Sequence, residues 1–393
     1  MNDLKALLAN KKVLFTLILT FIMTVLSSII LPFLAIFTLE KSELSIANVG
    51  LIIGTRSLAA SIFGLLSGRV EKKVSTKKIL YLSVILVGIC HVLYAYAQSL
   101  LVCLILIFLL GTAEGIQGPI MKSILATNKS NVSSDFVFRL RYMIFCVAII
   151  LGPVLSQLLY LQFDMGQLFV ITGVAQLVTG VLLLFFYKES HNVAFEVERT
   201  IDQKQKLRVD KKIMLSCIVG IISFSVFSIF ESVTPLAFNE YTDRVVLLFS
   251  VLVILNSIIA LIIQPLIMKA MNKIHLKHVF YAGSILFSIS YFIFAYSSGR
   301  LVLVILGTLV FTVGEAFLIP SIDVLVDTIS NHENKTDYFS LAEFKQLGFF
   351  IGPILSGILI DYASANVMYI FFGLFSLSIC FVINFISLDK TEN

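Results

Sequence analysis

Apolar runs long enough to cross a bilayer as helices, about 20 residues each, follow one another along the whole chain. Twelve emerge, at 12–38, 46–69, 79–97, 99–126, 136–161, 167–187, 212–238, 245–270, 278–297, 300–328, 338–361 and 366–387. Most polar breaks between them are short. The exception is "KESHNVAFEVERTIDQKQKLRVDKK" (Lys188 to Lys212), which divides the runs six and six. The pattern predicts an all-α membrane protein: an N-terminal six-helix bundle (1–187), a linker (188–211) and a C-terminal six-helix bundle (212–393).

Composition agrees. Hydrophobic residues make up 58% of the chain, charged residues only 13%, and the mean hydropathy is +0.99. A soluble domain carries about 25% charge, and one of this size has no interior large enough for so much apolar surface. The first run is too long for the apolar region of a signal peptide, and no small-residue cleavage site follows it, so no cleavable leader is expected. Cys90, Cys103, Cys146, Cys217 and Cys380 all fall inside apolar runs without metal-ligand spacing and read as small packing residues.

Charge placement sets an expected orientation. Lys5, Lys11 and Lys12 precede span 1, and Arg69, Lys72, Lys73, Lys77 and Lys78 crowd the break between spans 2 and 3. The central linker and the break after span 8 are also rich in Lys and Arg. The opposite breaks hold only Lys41, Arg244 and Arg300. Under the positive-inside rule both termini and the linker are cytoplasmic, in a multi-pass protein of the cell membrane. The net charge of +5 follows from this bias and gives no reason to expect a nucleic-acid partner.

The two halves repeat one another. "KVSTKKILYLSVIL" (from Lys73) aligns with "KIHLKHVFYAGSIL" (from Lys273) at an offset of 200, with identities at Lys73/Lys273, Lys77/Lys277, Tyr81/Tyr281, Ile85/Ile285 and Leu86/Leu286. Ala95-Tyr96 matches Ala295-Tyr296, and Gly152-Pro153 matches Gly352-Pro353. Glu114 and Pro119 match Glu315 and Pro320 after a one-residue slip. Ordered matches along a whole half indicate a parallel tandem repeat.

On these residues the chain resembles the major facilitator superfamily, over essentially its whole length, and within it the twelve-helix drug/proton antiporters. The resemblance implies two pseudo-symmetric six-helix bundles with substrate between them, exposed alternately to each side. The superfamily's signature loop between spans 2 and 3 is represented by "GRVEKKVSTKKIL". Gly68, Lys73, Lys77 and Lys78 fit it, while the signature Asp has become Lys72, with Glu71 beside it. In the family this loop gates the cytoplasmic side. Gly152-Pro153 on span 5 fits the Gly-Pro of the antiporter motif, in a stretch with few other glycines, and implies export rather than uptake. The acids in "FSIFESVTPLAF" and "FTVGEAFLIPSIDVL" resemble those of LmrP-type multidrug/proton antiporters, which assigns Glu231 and Glu315 to proton coupling. Those transporters carry a further acid on span 5, where this chain has Arg141, so a site for cationic drugs does not carry over.

Charge inside a span costs at least about 2.5–3.5 kcal/mol on insertion scales and faces a cavity or a partner. Glu114, Glu231 and Glu315 are therefore candidates for proton coupling; for Glu114 an ion pair with Arg141 or Arg56 is the competing reading. Arg56 and Arg141 suit a carboxylate or phosphate on a substrate, or structural pairing with Glu114. Tyr142 and Phe230 are candidates to line the cavity. Asp323, two turns beyond Glu315, is a candidate for a gating contact between the halves, with Lys122 as its repeat counterpart.

No nucleotide-binding loop or metal cluster is apparent, so no cofactor and no enzymatic activity are expected. The partners expected are a small-molecule substrate, protons and membrane lipid, with the chain acting as a monomer. Two functions remain. One is a proton-coupled exporter of a small organic molecule, such as a drug or an endogenous siderophore-like metabolite. The other is a proton-coupled symporter importing a peptide, sugar or organic acid. A receptor or scaffold has no appended soluble domain to support it.

Overall fold

The computed structural model describes residues 10–42, 44–71, 74–126, 134–186, 210–239, 241–271, 274–330, 338 and 341–386. Among them twelve helices are long and apolar enough to cross a membrane, and no strand occurs. In chain order they are α1 (Lys11–Ser42), α2 (Ile46–Glu71), α3 (Thr76–Tyr94), α4 (Leu100–Ala126), α5 (Ser134–Tyr160), α6 (Met165–Phe186), α7 (Lys211–Ser232), α8 (Val245–Met271), α9 (Leu276–Ser297), α10 (Leu301–Ile329), α11 (Gly348–Tyr362, the main part of the span Glu343–Tyr362) and α12 (Ala365–Asn384). Lipid offers backbone groups no hydrogen bonds, so helices that satisfy themselves are the required solution for such a sequence. Polar side chains within the spans obey the same constraint. The hydroxyls of Ser216, Ser223, Ser225 and Ser232 all donate to the carbonyl four residues earlier on α7.

Helix starts follow the local sequence. Ser75 accepts from the Lys78 N–H at the start of α3, Asp210 from Ile213 at α7, and Ser364 from Val367 at α12, each satisfying a donor the helix leaves open. Two spans expected to be continuous are not. Span 7 stops at Ser232 and resumes as a five-residue helix, Thr234–Phe238. Pro235 lacks an N–H, and its ring conflicts with the carbonyl four residues before it, that of Glu231. Span 11 opens with a tighter 3-10 turn, Glu343–Leu347, before α11 begins.

The chain forms two compact units. Unit 1 comprises 1–43 and 58–200, and unit 2 comprises 44–57 and 201–393. The sequence-based division placed all of span 2 in the first bundle, yet the opening turns of α2 pack within unit 2. The reason is close backbone approach. A Cβ on Gly50 would lie 2.1 Å from the Pro353 carbonyl oxygen, and one on Gly54 would lie 2.8 Å from that of Phe350. Asp361 closes this contact by accepting from the Ile46 N–H at 3.0 Å and the Ala47 N–H at 2.7 Å.

Within each unit the packing repeats as the sequence does. In unit 1, α3 packs on α4 and α6, and α1 on α5. In unit 2, α9 packs on α10 and α12, and α7 on α11. The joints use matching residues. A Cβ on Gly152 would meet Ser28 at 2.2 Å, and one on Gly352 would meet Ser228 at 2.3 Å. Lys77 donates to the Leu184 carbonyl at 2.8 Å, and Lys277 donates to the Asn384 carbonyl at 3.5 Å. Both lysines sit where a helix ends with unsatisfied carbonyls and partial negative charge.

Candidate functional site

Unit 2 gathers the charged residues most suited to proton chemistry. Glu315 lies midway along α10, partly buried. Facing it, Asn256 of α8 donates through Nδ2 to Glu315 Oε2 at 2.8 Å and to Thr312 Oγ1 at 3.0 Å. An amide nitrogen carries two N–H donors, so both bonds form together. The Thr312 hydroxyl spends its own proton on the Thr308 carbonyl at 2.8 Å. The result is a directional chain that holds Oε2 and leaves Oε1 outside these bonds.

Glu231 lies at the end of α7, just before the break forced by Pro235. It interacts electrostatically with Glu315 and with the Arg56 guanidinium, which the opening turns of α2 carry into unit 2. Two carboxylates, one guanidinium and one amide donor therefore belong to one unit. Such a group can take up, hold and release a proton.

Phe230, expected to line a cavity, is a core residue. It is 2% exposed and stacks on Phe311 with ring centroids 4.5 Å apart, beside Phe249 and Phe294. Adjacent helical positions differ by about 100° in direction, so its neighbour Glu231 points elsewhere. Asp323 pairs with Lys345 of the same unit at 2.5 Å, and the side-chain surroundings of Lys122, its repeat counterpart, lie outside the described residues. Lys345 is 7% exposed, with Glu343 Oε1 at 3.8 Å and the Phe224 ring 5.6 Å away.

In unit 1, Glu114 is partly buried on α4 and lies within electrostatic reach of Cys90 on α3. The Glu114–Arg141 ion pair that one sequence reading anticipated is not formed. Arg141 is partly buried on α5, its Nε is buried without a hydrogen-bond partner, and no described carboxylate pairs with it. Gly152 and Pro153 are buried and join α5 to α1. Of the loop residues, Lys77 bonds inside unit 1 and Lys78 is exposed. Lys73 lies outside the described residues, as do the side-chain surroundings of Gly68, Glu71 and Tyr142. Asn256 escaped the sequence reading. The available signal was an amide deep in "VVLLFSVLVILNSIIALIIQ", where a lone polar group needs a partner.

The family profile described as Major Facilitator Superfamily matches residues 16–342 and 216–393. The chain is 27% identical to the "Uncharacterized MFS-type transporter YqjV" of Bacillus subtilis (strain 168), over 88% of this chain and 85% of that protein. It is 24% identical to a "Na(+), Li(+), K(+)/H(+) antiporter" of Planococcus maritimus, over 83% and 84%. Among solved structures, the nucleoside transporter NupG superposes with a TM-score of 0.82 at 16% identity, covering 98% of this chain and 100% of that one. At that identity the likeness speaks for the fold alone.

Proposed function

The chain belongs to the major facilitator superfamily, and from that premise we propose that it is a proton-coupled secondary transporter of the cell membrane, exporting a small organic molecule by alternating access. Both termini are cytoplasmic in this reading, following the lysine and arginine bias of the loops. The observation that carries the proposal is the setting of Glu315: a carboxyl group in a membrane span, held by a neutral amide donor, with Glu231 in electrostatic reach. A neutral donor can bond a carboxyl oxygen in either protonation state, so the proton can come and go without dismantling the site. The Gly-Pro of α5, which the antiporter resemblance reads as a mark of export, supports the direction, as does similarity to a cation/proton antiporter.

Inside-out membrane vesicles test this reading. With an imposed proton gradient, a panel of fluorescent and radiolabelled organic compounds is screened for uphill uptake and for dissipation of the gradient. The expected result is uptake of at least one compound that dissipates the gradient in wild type and does neither in Glu315→Gln. Uptake indifferent to the gradient overturns the coupling, and proton movement in the same direction as the solute indicates the symporter instead.

A further inference from the structure

Among the described residues, several cations in or beside the spans have partners of their own. Lys345 has Asp323 and Glu343, Lys77 has the Leu184 carbonyl, and Arg56 acts on Glu231. Arg141 has no ion-pair or hydrogen-bond partner among the described residues, although its Nε is buried. It stands seven residues into α5 and two residues before the apolar stretch Met143–Tyr160. That places it about 10 Å along the helix from its start. A guanidinium remains charged under all ordinary conditions, and one partly withdrawn from water gains from an anionic partner. Unit 1 also holds an unpartnered buried donor, the Gln117 Nε2 of α4, a residue 4% exposed.

A site that keeps a cation uncompensated is completed by an anion from outside the chain. We propose that Arg141 is the seat for an oxyanion group, a carboxylate or phosphate, on the transported molecule, so that the substrate class is organic anions or zwitterions. The planar guanidinium fork matches both groups through paired hydrogen bonds. This rests on the reading of the chain as a transporter but not on its coupling to protons. The same chemistry could be met by the phosphate of a lipid headgroup, and the test separates the two sources.

The full-length chain is purified in detergent and its thermal unfolding followed with millimolar benzoate, a dicarboxylate, a phosphomonoester, inorganic phosphate and, as the cationic control, a quaternary ammonium ion. At least one organic anion should raise the unfolding temperature of wild type, and the quaternary ammonium ion should not. Arg141→Gln should weaken that anion's binding at least tenfold, with Arg141→Lys retaining part of it. Without ligand, Arg141→Gln should be as stable as wild type or more so, because an uncompensated charge has been removed. A wild type indifferent to every anion overturns the proposal, as does an Arg141→Gln protein that binds them equally. A marked loss of ligand-free stability in Arg141→Gln also overturns it, since that would reveal a structural partner. Reconstitution in phosphatidylcholine with and without phosphatidylglycerol supplies the other arm. If wild type gains over Arg141→Gln only with phosphatidylglycerol, and organic anions do nothing, the ligand is lipid and the substrate assignment is overturned. None of these measurements uses a proton gradient. Failure of the coupling therefore leaves their outcome intact, and a chain indifferent to anions leaves the coupling standing.

Discussion

Glu114 and Glu315 are repeat-related carboxyl groups, each five residues before a helical proline, yet their settings differ. At the register that gives α8 Asn256, the repeat gives α2 Arg56, with Ser57 matching Ser257 and Ala60 matching Ala260 beyond it. Asn256 bonds Glu315 directly, whereas Arg56 acts on Glu231. An amide can serve a carboxyl group in both protonation states. A guanidinium is a fixed charge that favours an anion. The duplicated bundle has thus kept the acid at both places but not the residue at this second position, which is an amide that bonds Glu315 in one case and a guanidinium that acts on Glu231 in the other.

Exchanging the acids should break the comparison most visibly. Glu315→Gln keeps size and hydrogen bonding but cannot release a proton, so gradient-driven transport should fall to background while substrate binding persists. Glu231→Gln should abolish or slow it. Glu114→Gln should leave the proton dependence of whatever transport remains unchanged. Vesicle flux with and without a gradient checks all three, and wild-type uphill export by Glu315→Gln would move the coupling role to another acid, with Glu114 next.

The α1–α5 and α7–α11 joints offer the next largest effect, here one of similarity. Gly152→Leu and Gly352→Leu each force side-chain atoms into a contact already filled by Ser28 or Ser228. Each should lose roughly 1–3 kcal/mol or more of stability, read as a drop in the thermal unfolding temperature of the purified chain. Unequal losses would show that one joint has relaxed since duplication.

Asn256 sharpens the chemical difference. A hydrogen bond to a charged group contributes about 1.5–3 kcal/mol, and one pH unit corresponds to about 1.4 kcal/mol. Asn256→Ala removes a donor to Glu315. The pH midpoint of transport should therefore move away from the wild-type value. Asn256→Arg gives the second half the first half's residue and should hold Glu315 as an anion, suppressing proton-driven flux. A midpoint unmoved by Asn256→Ala would deny the amide any part in the proton cycle.

The smallest expected effect concerns the helix-end lysines. Lys77→Ala and Lys277→Ala each remove a cation from a helix C-terminus, worth about 0.3–1 kcal/mol. The shorter bond at Lys77, 2.8 Å against 3.5 Å, predicts the larger loss there. If Lys77→Ala leaves stability untouched and instead alters transport, the gating role implied by the loop resemblance is the better account of that residue.

The amino-acid sequence alone was enough to determine the twelve spans, their repetition and the residue types that stand out as chemistry. Lipid enforces this legibility: a spanning helix must be long, apolar and self-bonded, and every charge within one is conspicuous. Direction around each helix is what it could not supply. Phe230 and Glu231 are adjacent letters, but a step of about 100° sends the first into an aromatic core and leaves the second to the charged group. Asn256 looks unremarkable until α8 packs on α10 and brings its amide to Glu315. Asp323 acquires Lys345 through a contact made by folding. Glu114 and Glu315 read alike along the chain, and only the tertiary structure gives Glu315 the Asn256 amide, because the donors packed around a carboxyl group are chosen by folding and not by its neighbours in sequence.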